Sequence, residues 1–274
     1  MKTKKSGVFL TCFAIFALML TTFAAFVKPV KAAEQISIVN HQGFLDSTGY
    51  YNVYGEVKNN GDTAARNVYV KITFISGSEA DEDEHETLIH VILPGRKSPF
   101  MGTAGSIQGS LVTSYTVELM DLTMSSEDLP RVLQIMSSNS EVNIINNMII
   151  NGTVKNTGAE TATYTRVYAT VYDGPSGTGN VVAVTSCTAQ PYNVDPGQTG
   201  NFEMGFFITQ GKSYASYVLA AESDQYAATT EYVAATTIPE FSSFIVVSLL
   251  IVTMLIVAVA VKRKQLQTAH SNLN

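Results

Sequence analysis

An internal repeat constrains the fold of this chain more than any other feature. The pattern Gly-x-Val-Lys-Asn-x-Gly begins at Gly55 and recurs ninety-seven residues later at Gly152. A second pattern, a Pro-Gly pair followed by Phe, occurs at Pro94 and again at Pro196. Repeats this long are duplicated domains rather than the short units of a solenoid. The chain is therefore expected to contain two copies of one domain.

Alternation of apolar and polar residues predicts β-strands in both copies. Asn52 and Glu56 are expected on the wet face of the first strand, and residues 59–62 in a turn that Asn and Gly favour. Residues expected to face the core are Tyr51, Val53, Gly55, Val57, Val68, Val70, Ile72, Phe74, Met148, Ile150, Gly152 and Val154. Short strands separated by regular turns predict an all-β domain, a β-sandwich, for each copy.

The first 32 residues have the composition of a secretory signal. Three lysines within the first five residues precede an apolar run over 8–26, and Ala32 provides a small residue for cleavage. The apolar run is long for a signal, so an uncleaved anchor is the alternative. Both interpretations predict export of the body of the protein.

A second apolar segment, 244–261, is interrupted only by Ser248 and Thr253. As a helix it is about 27 Å long, close to the thickness of a bilayer core. Three consecutive basic residues follow at 262–264. Since basic residues stay on the cytoplasmic side, the segment is predicted to be a transmembrane helix with the body outside the cell and the C-terminal tail in the cytoplasm.

Charge and cysteine content exclude several classes of function. All 23 acidic residues lie between the two ends, with nine of the 17 basic residues, so the middle has a formal charge of about −14. This charge repels phosphate backbones, and nucleic acid is not expected as a partner. Cys187 is the one cysteine outside the signal segment, on a strand predicted over 181–189, and is interpreted as a small buried apolar residue. A disulfide within the mature chain is excluded.

The repeat resembles the FxLYD family of extracellular β-sandwich domains. The resemblance covers most of 36–232 and is carried by 55–61 and 152–158, with a following strand that ends Val-Tyr-Asp at Asp173 in the second copy. The first copy has Phe74 and Ile75 where the family has Tyr-Asp. Surface modules of the CARDB type share the Val-x-Asn-x-Gly turn. Both resemblances imply immunoglobulin-like sandwiches without a catalytic role.

The residues before the C-terminal apolar segment carry a second resemblance. Pro239, Glu240 and Phe241 stand directly before the apolar run and its basic stop, which resembles the archaeal PEF-type sorting signal. The resemblance implies an archaeal envelope protein processed at this motif by an archaeosortase-like enzyme. The alternative is that the helix remains as a permanent anchor.

Few residues are candidates for chemistry. Asp81, Asp83 and Glu84 lie in an acidic run over 79–86 and are the candidate ligands for a hard cation, although the run lacks the spacing of a calcium loop and is interpreted as a solvated loop. His85 and His90 have no recognised zinc spacing. No catalytic residue, metal or cofactor is predicted. Asn151 is the candidate glycosylation site of the body.

The sequence thus predicts an all-β protein with two tandem immunoglobulin-like sandwiches, flanked by an N-terminal signal helix and a C-terminal transmembrane helix. The predicted function is a non-enzymatic cell-surface structural or interaction protein, whose partners are the membrane, a sorting enzyme, and a surface protein or glycan. The alternative is a module that binds a small molecule or carbohydrate in an inter-domain cleft. The predicted segments are 1–32 signal, 33–124 first domain, 125–130 linker, 131–234 second domain, 235–243 stalk, 244–261 transmembrane helix and 262–274 tail.

Overall fold

The computed structural model of the protein describes residues 35–120, 122–125, 129–209, 211–229, 232–236 and 254. The regular elements in these residues are β-strands, with two short 3-10 turns at Gly109–Leu111 and Pro175–Gly177. The predicted all-β class is confirmed. The predicted signal segment, PEF motif, transmembrane helix (apart from residue 254) and tail lie outside the described residues. Within the described part, no helix is long and apolar enough to cross a membrane.

The chain divides into two compact units. Unit 1 comprises Met1–Leu133 and Ala221–Thr230, and unit 2 comprises Gln134–Ala220 and Glu231–Asn274. The first nine strands are β1 (Ile36–Leu45), β2 (Tyr51–Asn59), β3 (Ala64–Arg66), β4 (Tyr69–Ser76), β5 (Glu79–Glu86), β6 (Val91–Ile92), β7 (Lys97–Thr103), β8 (Ser114–Leu119) and β9 (Thr123–Ser125). The next seven are β10 (Leu133–Val142), β11 (Asn147–Asn156), β12 (Arg166–Tyr172), β13 (Val181–Thr188), β14 (Thr199–Phe207), β15 (Ser216–Glu222) and β16 (Tyr232–Ala235).

Unit 1 is built from two main antiparallel sheets with the strand orders β1-β2-β7 and β5-β4-β8, and a small sheet β6-β3-β9. Val53, Val57 and Phe100 of the first sheet pack with Ile72 and Phe74 of the second in one buried cluster. The two sheets therefore share a core. The predicted inward positions of β4 are confirmed, because Val70, Ile72 and Phe74 are all buried while the residues between them are partly exposed.

Unit 2 repeats this strand plan. Its sheets have the orders β10-β11-β14 and β13-β12-β15-β16. Met148, Ile150 and Val154 are fully buried, as the alternation predicts, whereas Gly152 is partly exposed. The strand predicted over 181–189 is confirmed as β13. The sheet β10-β11-β14 of unit 2 thus corresponds to β1-β2-β7 of unit 1, with the first two strands of each unit beside a later one.

The segment 221–230 groups with unit 1, although the sequence places it in the second domain. Ala227 is buried in a cluster with Ala64, Val91 and Leu93, and its N–H donates to Pro130 O at 3.1 Å. The segment is held in unit 1 by contacts with residues that are far away in the chain. Local sequence therefore does not indicate to which unit the segment belongs.

The wet face predicted for β2 is wrong at two positions. Asn52 and Glu56 are 6% and 2% exposed. β2 is the central strand of its sheet, and two side chains of its neighbour β7 reach over this face. Lys97 Nζ donates to Glu56 Oε2 at 2.9 Å, and Thr103 Oγ1 donates to Asn52 Oδ1 at 2.6 Å. Partners for their polar atoms allow both residues to be buried.

Candidate functional sites

The acidic run 79–86 is an edge strand rather than the predicted solvated loop. It forms β5, which pairs along its whole length with β4, from Tyr69 opposite Glu86 to Ser76 opposite Glu79. Because alternate residues of a strand point to opposite faces, its carboxylates are divided between two faces. Charged side chains on an edge strand also discourage pairing with strands of other molecules.

The three candidate cation ligands have separate surroundings in β5. Asp81 accepts hydrogen bonds from Ser106 Oγ and from the N–H groups of Gly105 and Ser106, the latter two at 2.7 and 2.9 Å. Partial burial acts to raise the pKa of Asp81, but these hydrogen bonds outweigh it and lower the pKa. Asp83 accepts from Thr103 N–H at 2.8 Å, and Glu84 lies opposite Lys71. In the described residues, no three acidic, His or Cys side chains converge as a metal site.

The histidines considered for zinc pair with different carboxylates. His85 Nε2 lies 2.7 Å from Asp83 Oδ1 on β5. His90 Nδ1 lies 2.5 Å from Glu222 Oε1, and the side chain of Glu222 is 3% exposed. The His90 N–H also faces both oxygens of Glu222 at 3.3 Å. The structure therefore does not bring His85 and His90 onto one site.

A buried asparagine joins the two repeated sequence patterns in unit 1. Asn59 is fully buried, and its Nδ2 donates to Thr63 O and Ile92 O, both at 2.8 Å. Its Oδ1 accepts from Gly61 N–H at 2.9 Å, and its backbone O accepts from Gly95 N–H at 2.8 Å. One side chain thus closes the turn after β2 and fixes it to the end of β6, just before the Pro-Gly pair.

Unit 2 contains the same arrangement around Asn156. This residue is fully buried, and its Nδ2 donates to Glu160 O at 2.7 Å and Val194 O at 2.8 Å. Its Oδ1 accepts from Gly158 N–H at 2.9 Å, and its backbone O accepts from Gly197 N–H at 2.8 Å. The sequence pattern indicates only a turn at Asn156 and does not reveal its buried hydrogen bonds. The signal is its presence in both copies, with a Gly two residues later.

The Pro-Gly pairs form matching turns beside these asparagines. Gly95 and Gly197 have positive φ angles of 75° and 76°, which glycine adopts without steric cost. In each turn the residue after Gly donates a backbone hydrogen bond to the residue before Pro, at 3.0 and 2.9 Å. Pro followed by Gly with positive φ is the pattern of a type II turn.

A tyrosine hydroxyl also makes an equivalent contact in each unit. Tyr115 OH lies 3.0 Å from His41 Nδ1, and Tyr217 OH lies 2.8 Å from Ser138 Oγ. These contacts join the first strand of one sheet to a strand of the other, β1 to β8 in unit 1 and β10 to β15 in unit 2. Partial burial raises the pKa of Tyr115 and lowers that of His41. We interpret both pairs as structural ties across the edge of the two sheets.

Two further predicted positions lie on strands. Asn151 is partly exposed on β11, the central strand of its sheet, and the hydroxyl of Thr153 two residues later lies 2.8 Å from Ser137 Oγ.

Cys187 is half-buried on β13, and burial raises the pKa of its thiol to about 11. A thiol with so high a pKa is protonated and unreactive at neutral pH. The sorting motif at Pro239, Glu240 and Phe241 lies outside the described residues.

Comparison with known proteins identifies no family. No protein-family description matches the chain, and no curated protein matches it in sequence. Among solved structures, red sea bream transglutaminase has 9% identity over 81% of this chain and 33% of its own, with a TM-score of 0.27. The Amycolatopsis orientalis exo-chitosanase CsxA has 14% identity over 73% of this chain and 26% of its own, also with a TM-score of 0.27. The chain spans a third or less of either structure, and TM-scores this low support no argument about fold or function.

Proposed function

We propose that this chain is a non-enzymatic cell-surface structural or interaction protein that is exported by its N-terminal segment and is either anchored in the membrane or sorted to the surface by its C-terminal segment. The observation that carries the proposal is that the body contains the same arrangement of strands and turns twice. In each copy a buried asparagine, Asn59 or Asn156, joins the turn after the second strand to the segment before the Pro-Gly turn, and we call this arrangement the frame. A duplicated frame of this kind suits a spacer or interaction module. The basic start, the two apolar segments and the basic stop of the sequence support its location.

Each unit is proposed to be an immunoglobulin-like sandwich. In support, the strand order places the first two strands beside a later strand in one sheet, β1-β2-β7 and β10-β11-β14. The opposing sheets, β5-β4-β8 and β13-β12-β15-β16, contain the intervening and following strands. This division of consecutive strands between two antiparallel sheets is typical of immunoglobulin-like domains.

The topology is testable on intact cells. Protease added outside is expected to degrade residues 33–241 and to spare the tail 262–274, because the basic residues at its start keep the tail on the cytoplasmic side. Antibodies against a body peptide and a tail tag distinguish the two. A cytoplasmic protein serves as the control for cell integrity. Protection of the body until lysis contradicts the proposed topology.

The fate of the C-terminus separates sorting from permanent anchoring. We propose that an archaeosortase-like enzyme cuts near Pro239, Glu240 and Phe241 and transfers the body to a surface anchor. In support, Pro239 disfavours helix at the preceding residue, and Glu240 resists entry into the bilayer. Mass spectrometry of the protein from native membranes is expected to find a C-terminus near the motif. An intact 262–274 tail on most molecules contradicts sorting and leaves the permanent anchor.

A further inference from the structure

The hairpin between β10 and β11 ends in two exposed isoleucines. Ile144 is 104% exposed and Ile145 is 62% exposed, in a turn flanked by Asn143 and Asn146. Single exposed apolar residues are common on protein surfaces, but two in succession at the end of a hairpin place a concentrated apolar group in water. Turn positions are usually occupied by polar residues or glycine.

The hydrogen bonds of this turn involve the asparagines and not the isoleucine side chains. Asn143 Oδ1 accepts from Ile145 N–H at 3.1 Å and from Asn147 N–H at 3.0 Å. Asn146 has a φ of 60° and donates through Nδ2 to Ile208 O at 3.2 Å. The asparagines define the turn, so its geometry leaves the side chains at 144 and 145 free to vary.

Unit 1 provides an internal comparison. Its β1–β2 hairpin has the same turn, in which Asp46 Oδ1 accepts from Thr48 N–H at 2.8 Å and from Tyr50 N–H at 3.0 Å. The tip residues there are Ser47 and Thr48, followed by Gly49 with a φ of 92°. Leu45 beside this turn is 42% exposed and Tyr50 is 55% exposed, but the tip itself carries hydroxyls. The fold therefore does not require isoleucines at this place.

A third apolar side chain lies at the same end of unit 2. Phe207 is 58% exposed at the end of β14, opposite Asn147 in the strand register. The next residue, Ile208, donates its N–H to Asn146 O at 3.0 Å. We use the name apolar tip for Ile144, Ile145 and Phe207.

The chain leaves unit 2 at this same end. Thr236, directly after β16, donates its N–H to Ala215 O at 3.2 Å. The ring of Tyr214 packs against that of Phe206 in a tilted arrangement with centroids 5.5 Å apart, and its hydroxyl accepts from Thr209 N–H at 2.8 Å. Phe206 directly precedes Phe207 of the apolar tip, and Thr209 follows Phe207 by two residues. These contacts place the exit of the chain beside the end of β14 and hence beside the tip.

The remaining chain length limits the distance from this end to the membrane. Residues 237–243 separate Thr236 from the apolar segment that begins at 244. Seven residues span at most roughly 25 Å when fully extended. If 244–261 crosses the bilayer, this end of unit 2 stays within that distance of the membrane surface.

We propose that the apolar tip inserts into the interfacial region of the lipid bilayer and docks unit 2 on the membrane beside its anchor. The inference rests on the proposed membrane anchorage. Lipid is the favoured occupant because the short tether, for as long as the C-terminal segment anchors the chain, holds a bilayer rather than any other apolar phase close to the tip. Isoleucine and phenylalanine gain free energy when they leave water for the hydrocarbon boundary.

The absence of tryptophan from the chain makes insertion directly measurable. The full chain carrying Ile145→Trp is reconstituted in phosphatidylcholine vesicles with and without bromine on the acyl chains. The control is Tyr192→Trp, since Tyr192 is 56% exposed and lies close to Val194, which binds Asn156 at the opposite end of β11 from the tip. We expect several-fold stronger bromine quenching and a blue-shifted emission for the Ile145→Trp indole.

A second variant tests whether the isoleucines drive insertion. Phe207→Trp is combined with Ile144→Ser and Ile145→Thr, the residues of the equivalent turn in unit 1. Partial burial of one isoleucine in the bilayer raises the equilibrium constant for insertion about tenfold, so loss of both isoleucines is expected to lower it about a hundredfold. The bromine quenching seen with Phe207→Trp alone is then expected to disappear. The melting temperature is expected to remain unchanged.

The outcomes distinguish this inference from the proposed anchorage. A full chain that does not float with vesicles contradicts the anchorage. A chain that floats while the Ile145→Trp indole is quenched no more than the Tyr192→Trp indole overturns the docking inference alone. A lower melting temperature in the Ser-Thr variant also overturns it, because the isoleucines are then structural.

Discussion

Replacing Asn156 with alanine is expected to destabilise unit 2 by about 3–4 kcal/mol. The change removes two donors and one acceptor from a fully buried position. It leaves the carbonyl groups of Glu160 and Val194 and the N–H of Gly158 without this partner. An intramolecular hydrogen bond contributes about 1 kcal/mol net, and unsatisfied buried groups add to the loss.

Hydrogen exchange in peptides from β11 and β12 measures this loss within unit 2. Asn156→Asp keeps the acceptor for Gly158 but removes both donors and places a carboxylate against two carbonyl oxygens, so it is expected to be at least as destabilising. The matched control is Asn60→Ala in unit 1, because Asn60 binds Ser37 Oγ at an exposed position. An Asn156→Ala protein with unchanged exchange contradicts the role assigned to this side chain.

The same substitution at Asn59 is expected to have a similar effect on unit 1, because its three side-chain hydrogen bonds correspond to those of Asn156. Exchange in peptides from β2 and β4 reports this change. If only one of the two variants is destabilised, the two frames are not equivalent.

The second large effect is expected at the repeated glycines. Gly55 lies opposite Phe100, and Gly152 lies opposite Phe202, in the same register of equivalent strand pairs. A Cβ on Gly55 meets the Phe100 ring and lies 2.6 Å from Asn40 O. A Cβ on Gly152 meets Ser137 O and lies 2.6 Å from Phe202 Cζ. The phenylalanine ring covers the glycine on the neighbouring strand, an arrangement that compensates for the missing side chain.

Gly55→Val and Gly152→Val are each expected to destabilise their own unit by about 2–3 kcal/mol, because backbone oxygens and a packed ring must move. Chemical denaturation with unit-specific hydrogen exchange measures both. The control is Gly105→Ala, since a Cβ at Gly105 has no heavy atom within 4 Å and its φ is not positive. Unchanged stability in both valine variants would show that the two glycines are incidental.

The strand pattern of the body is largely predictable from the sequence. Val70, Ile72 and Phe74 alternate with polar residues, and the period of two in a strand puts all three on the buried face. The duplication is also evident, since identical residues recur at Gly55 and Gly152. These are local properties, in which neighbours in sequence determine which face of a strand meets the core.

The acidic strand shows where local reasoning fails. Consecutive carboxylates have low strand propensity, so the sequence favours a loop at 79–86. In the structure β4 supplies a complete hydrogen-bonding partner for β5, and Thr103, Gly105 and Ser106 supply donors for its inner aspartates. Pairing with an established strand and satisfaction of the carboxylates outweigh the intrinsic preference.

The sequence by itself determined the all-β class, the duplication and the alternation of buried residues, because each depends on spacing along the chain. Only the tertiary structure decided that Asn59 and Asn156 are buried frame residues and not simple turn residues. Asn59 bonds to Ile92 across 33 positions, and Asn156 bonds to Val194 across 38. Contacts over such separations form only when the fold brings distant segments of the chain together. A buried side-chain amide is stable only when each of its hydrogen-bonding groups has a partner, and the complete fold supplies these partners.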